Sequence, residues 1–260
     1  MHRVEPKIFL IGETQINESG MRGYLTHVGA ADWNSDAHSH SEKLIEFYGR
    51  LCYRSWAPKM NPNVTKVREG NDKYIAHIIE VGHGSVMEHA VSNWVFADIS
   101  RVATHEIVRH RVGTMFSQES LRFVRLTDLG LWLPAEIEAD PLLKELFKTT
   151  FESLEQLQHR MSEHLKLDEE KNFARKKQFT SAMRRIAPIG LATTLGVSFN
   201  IRALRHVIFM RTSRHAEVEM RVIFNRVAEM AKYQWPNLFA DFTAEEIDGI
   251  NEWTTPHVKV

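Results

Sequence analysis

A single α+β domain, residues 1–260 with a core over about 40–240, is what the sequence predicts, on three observations. Apolar residues recur at helical spacing in several segments, and short runs rich in β-branched and aromatic residues lie between them. No repeat, low-complexity stretch or linker interrupts the 260 residues, a length that suits one large domain or two small ones. With 43% hydrophobic and 25% charged residues, disorder and collagen-like repeats are excluded.

The elements follow in order. Residues 6–12 (PKIFLIG) read as a short strand closed by Gly12, and the polar stretch 13–38 as an exposed excursion. From Ser41, the residues Leu44, Ile45, Phe47, Tyr48 and Leu51 fall at helical spacing. Asn61-Pro62-Asn63 is a break; Asp72 then opens a helix carrying Tyr74, Ile75, Ile78 and Ile79, which Gly82 and Gly84 end. The run 90–99 (AVSNWVFADI) reads as a strand, and Ser100 as the N-cap of a helix, SRVATHEIVRHR, that Gly113 should terminate. A loop over 118–135 with a short strand precedes a long amphipathic helix, Leu142 to Leu167. After the charged break DEEKN, a helix over 170–186 stops at Pro188. TTLGVSF (193–199) reads as a strand and Asn200 as the cap of a helical stretch reaching about Lys232. Order is expected to end near Pro236, leaving one short helix around Thr243 to Ile247.

Charge narrows the function classes. Lys and Arg number 33 against 33 Asp and Glu, which argues against a general nucleic-acid coat but leaves room for a local anion site. The first twelve residues mix charges into a short apolar run, unlike a signal peptide, and no run of 18 apolar residues is present to span a membrane. One cysteine, Cys52, forbids an internal disulfide and fits a cytoplasmic protein. A lone thiol can act as a nucleophile, but no histidine partner is legible near Cys52, and a buried structural role is expected.

Four clusters carry candidate chemistry. In GHGSVMEH (82–89), glycines flank His83 and permit close approach of a ligand to the backbone; a tight turn with solvated polar groups is the plainer account. HEIVRHR (105–111) invites a zinc-protease reading, but His105 and His110 are five apart, about 140° around a helix, so they do not share a face. No metal site is expected. Arg109, His110 and Arg111, with Arg122 further on, either cap a helix end or converge on phosphate, which guanidinium forks recognise. In the third cluster (198–221), Asn200, Arg202 and His206 form one polar edge, and Arg211 and His215 share a face; a salt-bridged surface helix explains the charges but not the Asn200–His206 pair. The fourth is Arg184-Arg185, at a helix end.

Together these segments resemble the flavin-dependent thymidylate synthases. That family carries an RHR signature followed by Ser and, two residues on, Arg: here Arg109-His110-Arg111, then Ser120-Leu121-Arg122. The GH…EH segment before it and the N-x-R…R-x-x-x-H segment after it match in order and spacing, so the resemblance covers about residues 40–240. It implies a central, mostly antiparallel sheet with long helices, and a homotetramer whose active sites lie between subunits. The implied flavin contacts are His83, Ser85, Arg109, His110, Arg111, Gln118, Asn200, Ile201, Arg202 and His206. The implied nucleotide contacts are Glu106, Arg109, Gln118, Glu119, Ser120, Leu121, Arg122, Arg184 and Arg211, the last matching the residue that polarises the uracil ring.

The implied reaction is reductive methylation of dUMP to dTMP, with methylenetetrahydrofolate as carbon donor, FAD as cofactor and NADPH as reductant. FAD held this way needs no Rossmann glycine fingerprint, and no GxGxxG occurs. Two departures stand out. Residues 112–119 place eight residues where the signature has seven, predicting a bulge near VGTMFSQE, and Glu106 stands where the family commonly has Gln. A carboxylate there repels a nucleotide phosphate or uracil carbonyl unless it is protonated or paired with an arginine, for which Arg109 is available. The alternative is C5-methylation of another pyrimidine nucleotide by the same flavin chemistry. An arginine-rich nucleic-acid-binding helical protein is the competing class, disfavoured by zero net charge.

Overall fold

The computed structural model describes residues 1–122 and 128–260. Its strands are β1 (His2–Arg3), β2 (Lys7–Glu13), β3 (Val91–Ser100), β4 (Thr114–Gln118), β5 (Gly130–Leu131), β6 (Ala192–Asn200), β7 (Thr243–Ile247) and β8 (Ile250–Thr254). Its helices are α1 (Glu18–His27), α2 (His40–Tyr53), α3 (Asn71–Glu80), α4 (Arg101–Ile107), α5 (Ala135–Ala139), α6 (Pro141–His164), α7 (Phe173–Met183), α8 (Ile201–Arg211) and α9 (Val218–Gln234). A four-stranded antiparallel sheet runs in the order β2-β3-β6-β4. Strict alternation explains it: in β6, Thr193, Leu195, Val197 and Phe199 are buried while the residues between them are half-buried. No helix of the described residues is long and apolar enough to cross a membrane.

The chain forms two compact units. The first unit holds residues 1–9, 95–110 and 116–197. Its core gathers Leu121, Leu129, Leu131, Leu133, Phe151 and Leu191, beside a short parallel pairing of β1 with β5. Asp140 caps α6 by accepting from the N–H groups of Leu142 and Leu143, with Pro141 at the first helical position. The 24-residue α6 buries Phe151 and Gln158 but leaves Leu142, Leu146 and Phe147 exposed.

The second unit holds residues 10–94, 111–115 and 198–260. Ile45, Ile75, Ile78, Trp94, Phe199, Leu204, Phe224, Trp235 and Phe239 fill its core. Two arginines are buried there with an acceptor for each guanidinium nitrogen. Arg50 donates to Glu46 at 2.8 Å and to the carbonyls of Ser55 and Arg68, and lies 4.4 Å from the centre of the Tyr74 ring. Burial pushes the Tyr74 phenol up to about 12. Arg205 meets Asp241 with two bonds of 2.8 Å and also donates to the Leu238 and Val260 carbonyls. Burial raises the Asp241 carboxyl, but the bonds and charge of Arg205, with the Thr255 hydroxyl, outweigh it and hold the group below its ordinary value.

Several expectations are corrected. The stretch 13–38 is no mere excursion: α1 is capped by Asn17 and buries Met21 and Leu25 against Phe47 and Trp56. The helix after Ser100 ends at Ile107, so the RHR triplet lies in the following turn and β4 begins at Thr114. The stretch after Asn200 is two helices, because Thr212 turns inward, bonding the Ile208 carbonyl at 2.8 Å and accepting from Trp253 N–H at 3.0 Å. His215 therefore lies off the helix and shares no helical face with Arg211. Residues 243–247 are a strand, paired with β8 across Asp248 and Gly249, which both adopt positive φ (55° and 76°). Beyond Pro236, Leu238, Phe239 and Phe242 are buried rather than disordered. Cys52 is exposed, not buried. The short strand expected within 118–135 is β5, and residues 123–127 of that loop lie outside the described residues.

Candidate active site

In the second unit the site is built around the start of α8. Asn200 caps the helix by accepting from Ala203 N–H at 2.8 Å. Arg202 donates to Glu88 at 2.7 Å and to the Lys259 carbonyl at 3.2 Å. At 100° per residue, Arg202 and His206 stand about 40° apart on the helix, and both line a cavity of about 550 Å³ with Asn200. Two glycines make this possible. A Cβ on Gly84 would lie 2.7 Å from Arg202 Nε, and one on Gly113, at φ 69°, 2.5 Å from Asn200 Nδ2. The Gly113 carbonyl also accepts the Asn200 N–H at 2.8 Å.

His83 is half-buried ahead of the 3₁₀ turn Gly84–His89, with Tyr53 Oη 2.8 Å from its Nε2 and the two rings nearly parallel. Ser85 and Arg111 are exposed. Arg211 ends α8, about 180° around the helix from Arg202 and roughly 14 Å along its axis, and is not among the residues lining the Arg202 cavity. Ile201 is fully buried, its N–H bonded to the Ala90 carbonyl, so its side chain belongs to the core.

In the first unit, Glu106 is half-buried on the last turn of α4, and exposed Arg109 and half-buried His110 follow it. Gln118 donates to Thr104 Oγ1 at 3.0 Å, and Glu119 N–H bonds the Thr194 carbonyl at 3.0 Å. Ser120 Oγ accepts from Arg122 N–H, whose carbonyl accepts from Thr180. Leu121 is buried in the core. Arg184 is exposed in the turn Arg184–Ile186.

Arg101 is the residue that sequence reasoning missed. Burial depresses its guanidinium pKa, the charge of Arg184 depresses it further, and Glu119 offsets part of this. Its Nε is buried with no hydrogen-bond partner among the described residues, while Nη2 reaches the Glu119 carbonyl at 3.2 Å. Two guanidiniums held near one another fit an anion. One signal was available: an arginine in the first turn of a helix sits against the helix dipole.

Clearance by glycine around paired polar groups in one unit, and neighbouring cations in the other, mark an α+β protein suited to phosphorylated ligands. Residues 36–237 match the family described as thymidylate synthase complementing protein. A flavin-dependent thymidylate synthase of Corynebacterium diphtheriae is 39% identical over 239 residues, 90% of this chain and 92% of that one. Another, of Mycobacteroides abscessus, is 38% identical over 81% of this chain and 83% of its own. Among solved structures, thymidylate synthase ThyX from Helicobacter pylori, with FAD and dUMP, superimposes at a TM-score of 0.57 and 18% identity, covering 90% of this chain and 99% of that chain. A UMP/dUMP methylase from Streptomyces cacaoi, bound with 5-Br dUMP, gives 0.61 at 14% identity over 92% and 96%. The chain belongs to the flavin-dependent thymidylate synthases, enzymes of the methyltransferase type.

Proposed function

We propose that this enzyme converts dUMP to dTMP, taking one carbon from methylenetetrahydrofolate and reducing equivalents from NADPH. FAD, when bound, supplies the hydride that completes the methyl group. The observation that carries the reading is the cavity at the start of α8, where side chains on Gly84 and Gly113 would displace the Arg202 and Asn200 groups that line it. His83, Ser85, Asn200, Arg202 and His206, with the Ile201 main chain, would hold the flavin, joined by Arg109, His110, Arg111 and Gln118.

Glu106, Arg109, residues 118–122 and Arg184 would hold the nucleotide, and Arg101 joins them by its place near Arg184. Arg211, an always-charged guanidinium, would act as a fixed cation stabilising negative charge on the pyrimidine. Because Arg202 and Arg211 leave α8 on opposite sides, the helix is suited to serve two sites, which supports a homotetramer with sites shared between subunits. Exposed Leu142, Leu146 and Phe147 on α6 give such an assembly apolar surface to cover. The family match spans both compact units, which supports one functional domain. An unpaired Cys52 thiol fits a reducing cytoplasm.

The test is an absorbance spectrum of the purified protein before and after NADPH, followed by assay for dTMP. A flavin spectrum bleached by NADPH, with dTMP formed from dUMP and methylenetetrahydrofolate, is expected. A colourless protein that neither binds FAD nor forms dTMP rejects the reading. Preference for UMP over dUMP would shift it to the other pyrimidine nucleotide.

A further inference from the structure

We propose that Lys259, on the segment Val258–Val260, is a further binding residue for the diphosphate of the flavin dinucleotide; this rests on the flavin reading above. The segment lies beyond the matched span 36–237, yet it lines the same cavity of about 550 Å³ as Asn200, Arg202 and His206. Its main chain is fastened to α8 twice. The Lys259 carbonyl accepts from Arg202 Nη2 and the Val260 carbonyl from Arg205 Nε, both at 3.2 Å. Arg205 is itself buried and held by Asp241, so the backbone under Lys259 is fixed while its side chain is exposed at the cavity.

Among the described residues, the charged side chains lining the cavity are Arg202 and Lys259 against Glu88, with His206 as the titratable neighbour. Glu88 already engages Arg202 at 2.7 Å. A diphosphate carries two negative charges, and the one guanidinium that lines this cavity is shared with a carboxylate. The Lys259 ammonium, a compact point charge on a flexible stem, adds a second cation at the cavity, and a phosphate is a group that such a charge serves.

Equilibrium binding of FAD, riboflavin and dUMP to the full chain tests this. Lys259→Gln should weaken FAD binding about 5- to 10-fold and flatten its salt dependence, while riboflavin and dUMP stay within about two-fold of wild type. Lys259→Arg should restore FAD binding. FAD affinity within about two-fold of wild type in Lys259→Gln overturns the assignment, as does equal weakening of FAD and riboflavin, or a loss confined to dUMP. A wild-type chain that binds no FAD overturns the flavin reading and this assignment with it.

Discussion

Arg202 in the second unit and Arg101 in the first carry the same group in opposite electrostatic situations. Arg202 is half-exposed and already paired, with Glu88 on one side and the Lys259 carbonyl on the other. An exposed pair of this kind is worth about 0–1 kcal/mol, so a phosphate can take the place of Glu88 at little cost. Arg101 is set against burial and against the charge of Arg184, and its Nε has no partner among the described residues. One region keeps its geometry through an exchangeable partner. The other sets a half-buried cation against a like charge, so an anion bound there should stabilise the protein.

The largest effect expected is at Arg211. Arg211→Ala should keep the flavin spectrum while kcat falls about 100- to 1,000-fold, the scale of losing one transition-state donor. Equal loss of flavin would place Arg211 with Arg202 and erase the division between the ends of α8. Next, Arg101→Met should raise KM for dUMP about 10- to 100-fold, yet leave the melting temperature of the ligand-free protein unchanged or higher, because a half-buried cation set against a like charge is gone. A lower melting temperature would show that Arg101 stabilises the ligand-free fold.

Gly84→Ala should weaken FAD binding about ten-fold, measured by flavin fluorescence, with KM for dUMP within about two-fold, because the nearest atoms to the added methyl are those of the Arg202 guanidinium. The smallest effect concerns a third arginine, Arg205, whose partner is permanent. The depressed Asp241 carboxyl contributes stability that is present above its ordinary value of about 4 and is lost as pH falls through its folded value. Asp241→Asn should lower stability at neutral pH and flatten that acid loss, read by tryptophan fluorescence in denaturant.

Long periodic segments were legible. The apolar spacing of Leu44 to Leu51, Tyr74 to Ile79 and the stretch from Leu142 located α2, α3 and α6, and short runs rich in β-branched and aromatic residues located β3 and β6. What failed depended on distant partners. Thr212 ends α8 because Trp253, 41 residues on, donates to its hydroxyl, and nothing local marks that break. TAEEI (243–247), expected as a short helix, is a strand because the left-handed pair Asp248–Gly249 turns it back on INEWT. In the site, the glycines and the α8 polar edge were visible as residue types, whereas Ile201 and Leu121 proved to be core. Arg101 was hidden because its significance lies in the nearby Arg184, 83 positions away.

The opposed placement of Arg202 and Arg211 on one helix has a genetic consequence. If each functional centre draws one of these residues from a different protomer, two inactive alleles, Arg202→Ala and Arg211→Ala, should complement one another when co-expressed. Mixed assemblies would regenerate some intact centres from two broken polypeptides, whereas neither allele alone could do so.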